Sequence, residues 1–224
     1  MRDYLKTTGL LVWKDLRIES RTRELFLVML VFALSILFIL NFALDRNIRA
    51  GSESASGLIW MIVILAGQLG LNQTMGIEKN SGMLEALLVA PAHRSAIYLG
   101  KSISAFLSMF VITLIIHPVY SVLFNVPLRS PHFLWISLIG CWGYASLGVL
   151  ISTMTIQTRT RDILLPVLFY PLIIPLAVSI IQASSASFAG EPLSSVSGAI
   201  SQIIVFDLIF TAAGILGFET ITED

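Results

Sequence analysis

Six runs of about 20 predominantly apolar residues govern what this chain can fold into, because each is long enough to cross roughly 30 Å of hydrocarbon as a helix. They cover residues 25–44, 57–75, 103–124, 133–153, 163–183 and 196–218. A backbone in lipid must satisfy its own N–H and C=O groups, so runs of this kind become helices. The weakest is the second, with Gln68, Asn72, Gln73 and Thr74 in its last third. Residues 60–67 are strongly apolar, and the run is kept as a span. Charged residues make up 12% of the 224, against about 25% in soluble domains. The expected fold is therefore an all-α membrane protein of six transmembrane helices. It adds an N-terminal amphipathic interfacial helix and a short cytoplasmic helix, within a single domain covering 1–224.

Lysine and arginine bias sets the orientation. With the N-terminus inside, the segments 1–24, 76–102 and 154–162 hold eleven of the 14 basic residues, and Arg46, Arg49 and Arg129 fall outside. Both termini, with the tail 219–224, are then expected in the cytoplasm, and the outer loops are short. The first 24 residues mix charge with apolar residues and do not read as a cleavable signal peptide. A net charge of zero gives no sign of a nucleic-acid partner. One cysteine, Cys141, permits no intrachain disulfide and no cysteine-based metal site.

Residues 3–23 read as an amphipathic helix. At about 100° per residue, Leu5, Gly9, Val12, Trp13 and Leu16 share a stripe, with Lys6, Lys14, Arg17 and Arg21 opposite. Leu10, Leu11 and Ile18 fall off it. Such a helix lies in the bilayer interface with its basic side toward anionic lipid. It is either a surface anchor or an elbow steadying a cytoplasmic docking surface.

The most informative polar stretch lies between the second and third spans. Residues 82–91 suggest a short helix stopped by Pro91, with Met83, Leu84, Leu87 and Leu88 on one face. Glu78, Lys79, Glu85 and Arg94 frame that face. An apolar knob with a charged rim fits a protein–protein contact; the alternative is a re-entrant helix packed under its own bundle. The neighbouring Gly100-Lys101-Ser102 matches the end of a phosphate-binding loop, but Ser95 stands where that loop needs its first glycine and no strand precedes it. Nucleotide binding by this chain is rejected.

Four stretches carry a family resemblance: KDLRIESRTRE at 14–24; GLIW at 57–60; Glu78-Lys79, GMLEALL at 82–88, Pro91, Arg94 and IYLGK at 97–101; and RTRDILLP at 159–166, with Pro171 and Pro175 beyond. The chain resembles the heme exporter protein B family, permease subunits of the cytochrome c maturation ABC complex within the ABC-2-type permease group. Gln73 departs from the basic residue expected after Asn72.

The resemblance implies a non-catalytic bacterial inner-membrane permease. Two copies would dock on an ATPase dimer that binds ATP, beside a heme-handling membrane protein and a heme chaperone. It implies heme as cargo rather than bound cofactor, and ATP-driven release of the loaded chaperone. The ATPase-coupling role then falls on Glu78, Lys79, Gly82, Leu84, Glu85, Leu88, Pro91 and Arg94, with Lys14, Asp15, Arg17, Arg159 and Arg161 in support. An ABC-2 permease for a lipid, polysaccharide or drug is the alternative. An intramembrane enzyme fits poorly, because no paired carboxylates and no metal-ligand spacing occur.

Several intramembrane groups stand out. Pro166, Pro171 and Pro175 should kink or partly unwind the fifth span, as static packing or as a mobile element. Asp207 lies mid-span, where a carboxylate is costly; it is either bonded inside the bundle while protonated or mechanistic. His117 either packs in the interior or contacts heme. Cys141, with Ser137 and Ala145, forms a small-residue stripe suited to close helix packing.

Overall fold

The computed structural model describes residues 2–44, 52–80, 93–125, 132–155 and 161–221. Over these it is helical: α1 (Arg2–Thr22), α2 (Glu24–Ala43), α3 (Ser52–Asn80), α4 (Arg94–Phe124), α5 (His132–Thr155), α6 (Arg161–Ala189), a 3-10 turn (Leu193–Val196) and α7 (Ser197–Ile221). Six helices among the described residues are long and apolar enough to cross a membrane. They correspond one to one with the six apolar runs.

The bundle is built around α5, which packs against α3, α4, α6 and α7. Of its apolar window 72% is buried, against 17% for α2, so α5 is the core and α2 lies at the periphery. Small residues admit the neighbours. A Cβ at Gly140 would stand 2.8 Å from Ile180 and 3.0 Å from Trp60, and one at Gly148 would strike Leu71. Ser137, Cys141 and Ala145 are fully buried as the stripe requires. Without a hydrophobic force between helices in lipid, this close approach supplies the attraction. α2 buries only Met29, Ala33 and Leu37, one stripe at helical spacing.

α4 contains the third apolar run, 103–124, and extends back from it to Arg94. Its extra turns hold Lys101, which finds a carboxylate partner on α1. Of the two outcomes expected for the proline-rich span, a kink or partial unwinding, unwinding does not occur, since α6 is helical through Pro166, Pro171 and Pro175. Pro171 and Pro175 point outward, while Leu165, Phe169, Ile173, Leu176 and Ile180 form the buried face. The rings therefore avoid the interior, and the Ser179 hydroxyl donates to the Pro175 carbonyl at 2.9 Å.

α1 and α2 meet at Arg23, which has φ 56° and ψ 10°. No side chain of Arg23 caps α2. The Glu19 carboxylate reaches across the elbow instead and accepts the Phe26 N–H at 2.7 Å, serving one of the donors that every helix start leaves unpaired. An L-residue in the left-handed region costs roughly 1 kcal/mol, so Arg23→Gly should raise stability by about that amount. The check is the melting temperature in detergent; a fall would show that the arginine side chain, not the turn, holds the elbow.

Candidate functional site at the loop end of the bundle

α3 ends and α4 begins on either side of the segment 81–92, and this end of the bundle carries the candidate site. Gly82, Leu84, Glu85, Leu88 and Pro91 lie outside the described residues, as does Arg159. Glu78 and Lys79 fall in the last turn of α3, and Arg161 opens α6. Arg94 opens α4, with His93 before it in extended geometry at φ −61° and ψ 124°.

What the structure adds is a tight junction between α1 and the first turns of α4. Tyr4, Thr8, Leu11 and Asp15 recur at helical spacing and share one face. The Tyr4 ring lies 6.1 Å from His93, and the Thr8 hydroxyl stands 3.4 Å from the Ala96 carbonyl. Leu11 packs on Gly100, where a Cβ would come within 3.0 Å of Leu11 Cβ. At the end of this row Lys101 Nζ donates to Asp15 Oδ2 at 3.0 Å and Oδ1 at 3.2 Å. Lys14 adds a second cation 3.1 Å from Asp15 Oδ1. The Lys101 side chain is 4% exposed, so this ion pair is nearly dry, where losing a partner would leave an uncompensated buried charge.

α1 thus has three sides rather than two. Leu5, Trp13 and Leu16 of the expected apolar stripe are exposed and suit a lipid-facing side. Leu11 fell off that stripe because it belongs to the face that meets α4. Arg17 leaves the opposite side to stack 4.6 Å over Trp13, a cation–π contact.

Behind the ion pair lies a pocket of about 110 Å³, open on one side, lined by Asp15, Glu19, Lys101 and Ala105 from α1 and α4 and by Met29, Gly67, Gly70 and Leu71 from α2 and α3. Farther along, the buried Tyr98 of α4 ties the helices together. Its hydroxyl is 3.0 Å from the Ser146 carbonyl of α5 and 3.2 Å from the Phe210 carbonyl of α7. Its ring seats on Gly214.

The other intramembrane candidates sit apart from this junction. Asp207 is buried against Gly143 of α5 and Leu176 of α6, and its Oδ1 has no hydrogen-bond partner among the described residues. His117 stacks on Phe133 with ring centres 3.9 Å apart and on Phe188 at 5.5 Å, and its Nδ1 is buried without a partner among the described residues. Toward that end of the bundle the Trp60 indole donates to Ser184 at 2.9 Å.

In the sequence Asp15 has a supporting role, while Lys101 and Tyr98 stand within the IYLGK stretch at 97–101 with no partner or role attached to either. A signal existed for Lys101: a lysine just before an apolar span needs a carboxylate or water, and Asp15 is the acid on the inner side of α1.

The family model described as CcmB protein matches residues 7–217, from α1 through α7. The chain belongs to the CcmB protein family. Curated relatives in this family include heme exporter protein B of Rhodobacter capsulatus, 24% identical over 92% of this chain and 96% of that protein. The heme exporter protein B of Paracoccus denitrificans is 24% identical over 83% of this chain and 86% of its own. That of Pseudomonas aeruginosa is 24% identical over 74% of each.

Proposed function

We propose that this chain is the membrane-spanning permease subunit of an ABC transporter that handles heme for cytochrome c maturation, in a bacterial inner membrane with both termini cytoplasmic. The observation that carries the reading is membership in the CcmB protein family across all six spans, with relatives named as heme exporters. The energy comes from a separate ATPase. In support of that, Lys101, the one lysine in a partial phosphate-loop string, is occupied by Asp15 inside a helix.

On this reading the segment 81–92 receives the ATPase. Leu84 and Leu88 form the apolar knob, with Glu78, Lys79, Glu85 and Arg94 as its rim, Gly82 and Pro91 bounding it, and Arg159 and Arg161 beside it. Because α3 and α4 are the two helices flanking the segment, a push there enters both. Heme is cargo, directly or through a neighbouring membrane protein and chaperone, and ATP hydrolysis drives release. A second copy of the chain completes the pore.

The test is a mild-detergent purification of the tagged chain from its host, with mass spectrometry and a heme stain. An ATPase together with cytochrome c maturation proteins is expected. An ATPase without them would move the function to another ABC-2 substrate, and no ATPase would overturn the reading. Leu84→Asp with Leu88→Asp should remove the ATPase from the eluate at unchanged yield of the chain; retained ATPase would sink the role of that segment.

A further inference from the structure

We infer that Asp15 and Lys101 are positioning residues that join α1 to the start of α4 as one rigid arm, hinged at Arg23. The arm would swing against the α2–α3 pair across the cavity behind the ion pair. This rests on the permease reading for its purpose, but not for its geometry.

Three observations carry it. First, α1 is fastened along its length to one partner: Tyr4 at His93, Thr8 at Ala96, Leu11 on Gly100 and Asp15 on Lys101. A row of van der Waals contacts between smooth helices can slide, but a buried ion pair in which Lys101 reaches both Asp15 oxygens, at 3.0 Å and 3.2 Å, opposes sliding and rotation. Second, only Arg23 separates α1 from α2, and the Glu19–Phe26 hydrogen bond across it is the contact a swing there would exchange. Third, a pocket open on one side lies behind the arm. Met29, Gly67, Gly70 and Leu71 face Asp15, Glu19, Lys101 and Ala105 across about 110 Å³, and Met29, which covers Gly70, is a flexible side chain that can change rotamer as the arm moves. A push on 81–92 that enters α4 would therefore carry α1 with it, together with the parts of α5 and α7 that Tyr98 ties to the same turns, and leave α2 in place.

The test has two parts. Spin labels at the exposed positions Leu10 on α1, Val111 on α4 and Val31 on α2 report distances, and the single Cys141 is buried away from the label. In the purified chain the Leu10–Val111 distance should be narrow and Lys101→Met should broaden it. An unchanged distribution in Lys101→Met overturns the latch, and this part needs no ATPase. In the complex with its ATPase, ATP should shift Leu10–Val31 and leave Leu10–Val111 fixed; the reverse overturns the arm.

The second part separates the arm from plain stability. Lys101→Met should lower the melting temperature, whereas Ala105→Leu, which fills the cavity, should raise it. Both should cut holocytochrome c formed per ATP hydrolysed, by about tenfold, with the ATPase still bound. The exchange of Lys101→Asp with Asp15→Lys should restore output. Output that merely follows melting temperature across the series, with Ala105→Leu as active as the parent chain, overturns the proposal. Should Lys101→Met fail to fold, Ala105→Leu decides alone. An eluate with no ATPase would count against the permease reading, and the label distances would still decide the arm.

Discussion

Gly143→Leu is expected to leave little folded protein. A Cβ at Gly143 would fall on Asp207 Oδ1 and 2.9 Å from Leu176, and both neighbours belong to other helices. Leucine adds three further carbons at the crossing of α5, α6 and α7, the most enclosed region of the bundle. Overpacking of this kind costs about 1–3 kcal/mol and more where the neighbours cannot give way. Gly143→Ala isolates the term: about 2 kcal/mol of destabilisation, largely recovered when Asp207→Ala removes the obstructing carboxylate. A double-mutant cycle of unfolding in mixed micelles measures the coupling; additive effects would show that Asp207 is not what the added methyl meets. Asp207→Asn keeps the shape and should be tolerated. Lost cytochrome c maturation at normal yield would instead make Asp207 a mechanistic group.

The second large effect is expected at Tyr98. Its ring fills the crossing of α4 and α7 over Gly214 and lies 6.0 Å from Phe218. Tyr98→Ala removes an entire buried aromatic ring and should cost about 3–5 kcal/mol. Tyr98→Phe keeps the ring and loses only the hydroxyl shared by the Ser146 and Phe210 carbonyls, which are helix acceptors in their own right; about 1 kcal/mol is expected. Equal losses in the two variants would place the stability in the hydrogen bond instead of the ring.

These sites show which parts of the molecule could be read from the chain alone. Span number and order were legible because a membrane imposes a length and a composition on each crossing helix. The ends were less so. α4 runs back to Arg94, and the partner that compensates Lys101 in those extra turns is 86 positions away, which no local pattern carries. α1 was legible as a helix, yet the face that meets α4 was not, since a hydropathy pattern does not say which side of a helix meets protein. α6 stays helical through its prolines because a transmembrane helix tolerates them where neighbouring groups satisfy the freed backbone carbonyls. The small residues of α5 were readable as packing sites through Ser137, Cys141 and Ala145, but their specific partners were not. The knob at 84–88 rests on sequence and family alone.

The fastening of α1 also sets an order of events during synthesis. Asp15 leaves the ribosome 86 residues before Lys101, and Thr8 is 88 residues ahead of Ala96. α1 therefore cannot reach its final place until three spans have been made and the third has entered the bilayer. Until then its packing face, with Leu11 and Asp15, has no permanent neighbour, and the interface between water and lipid is where a helix of this composition rests. Docking of the first helix is thus a late, long-range step in assembly. A nascent chain halted before Lys101 should leave α1 open to proteolysis, and one halted after the third span should begin to protect it.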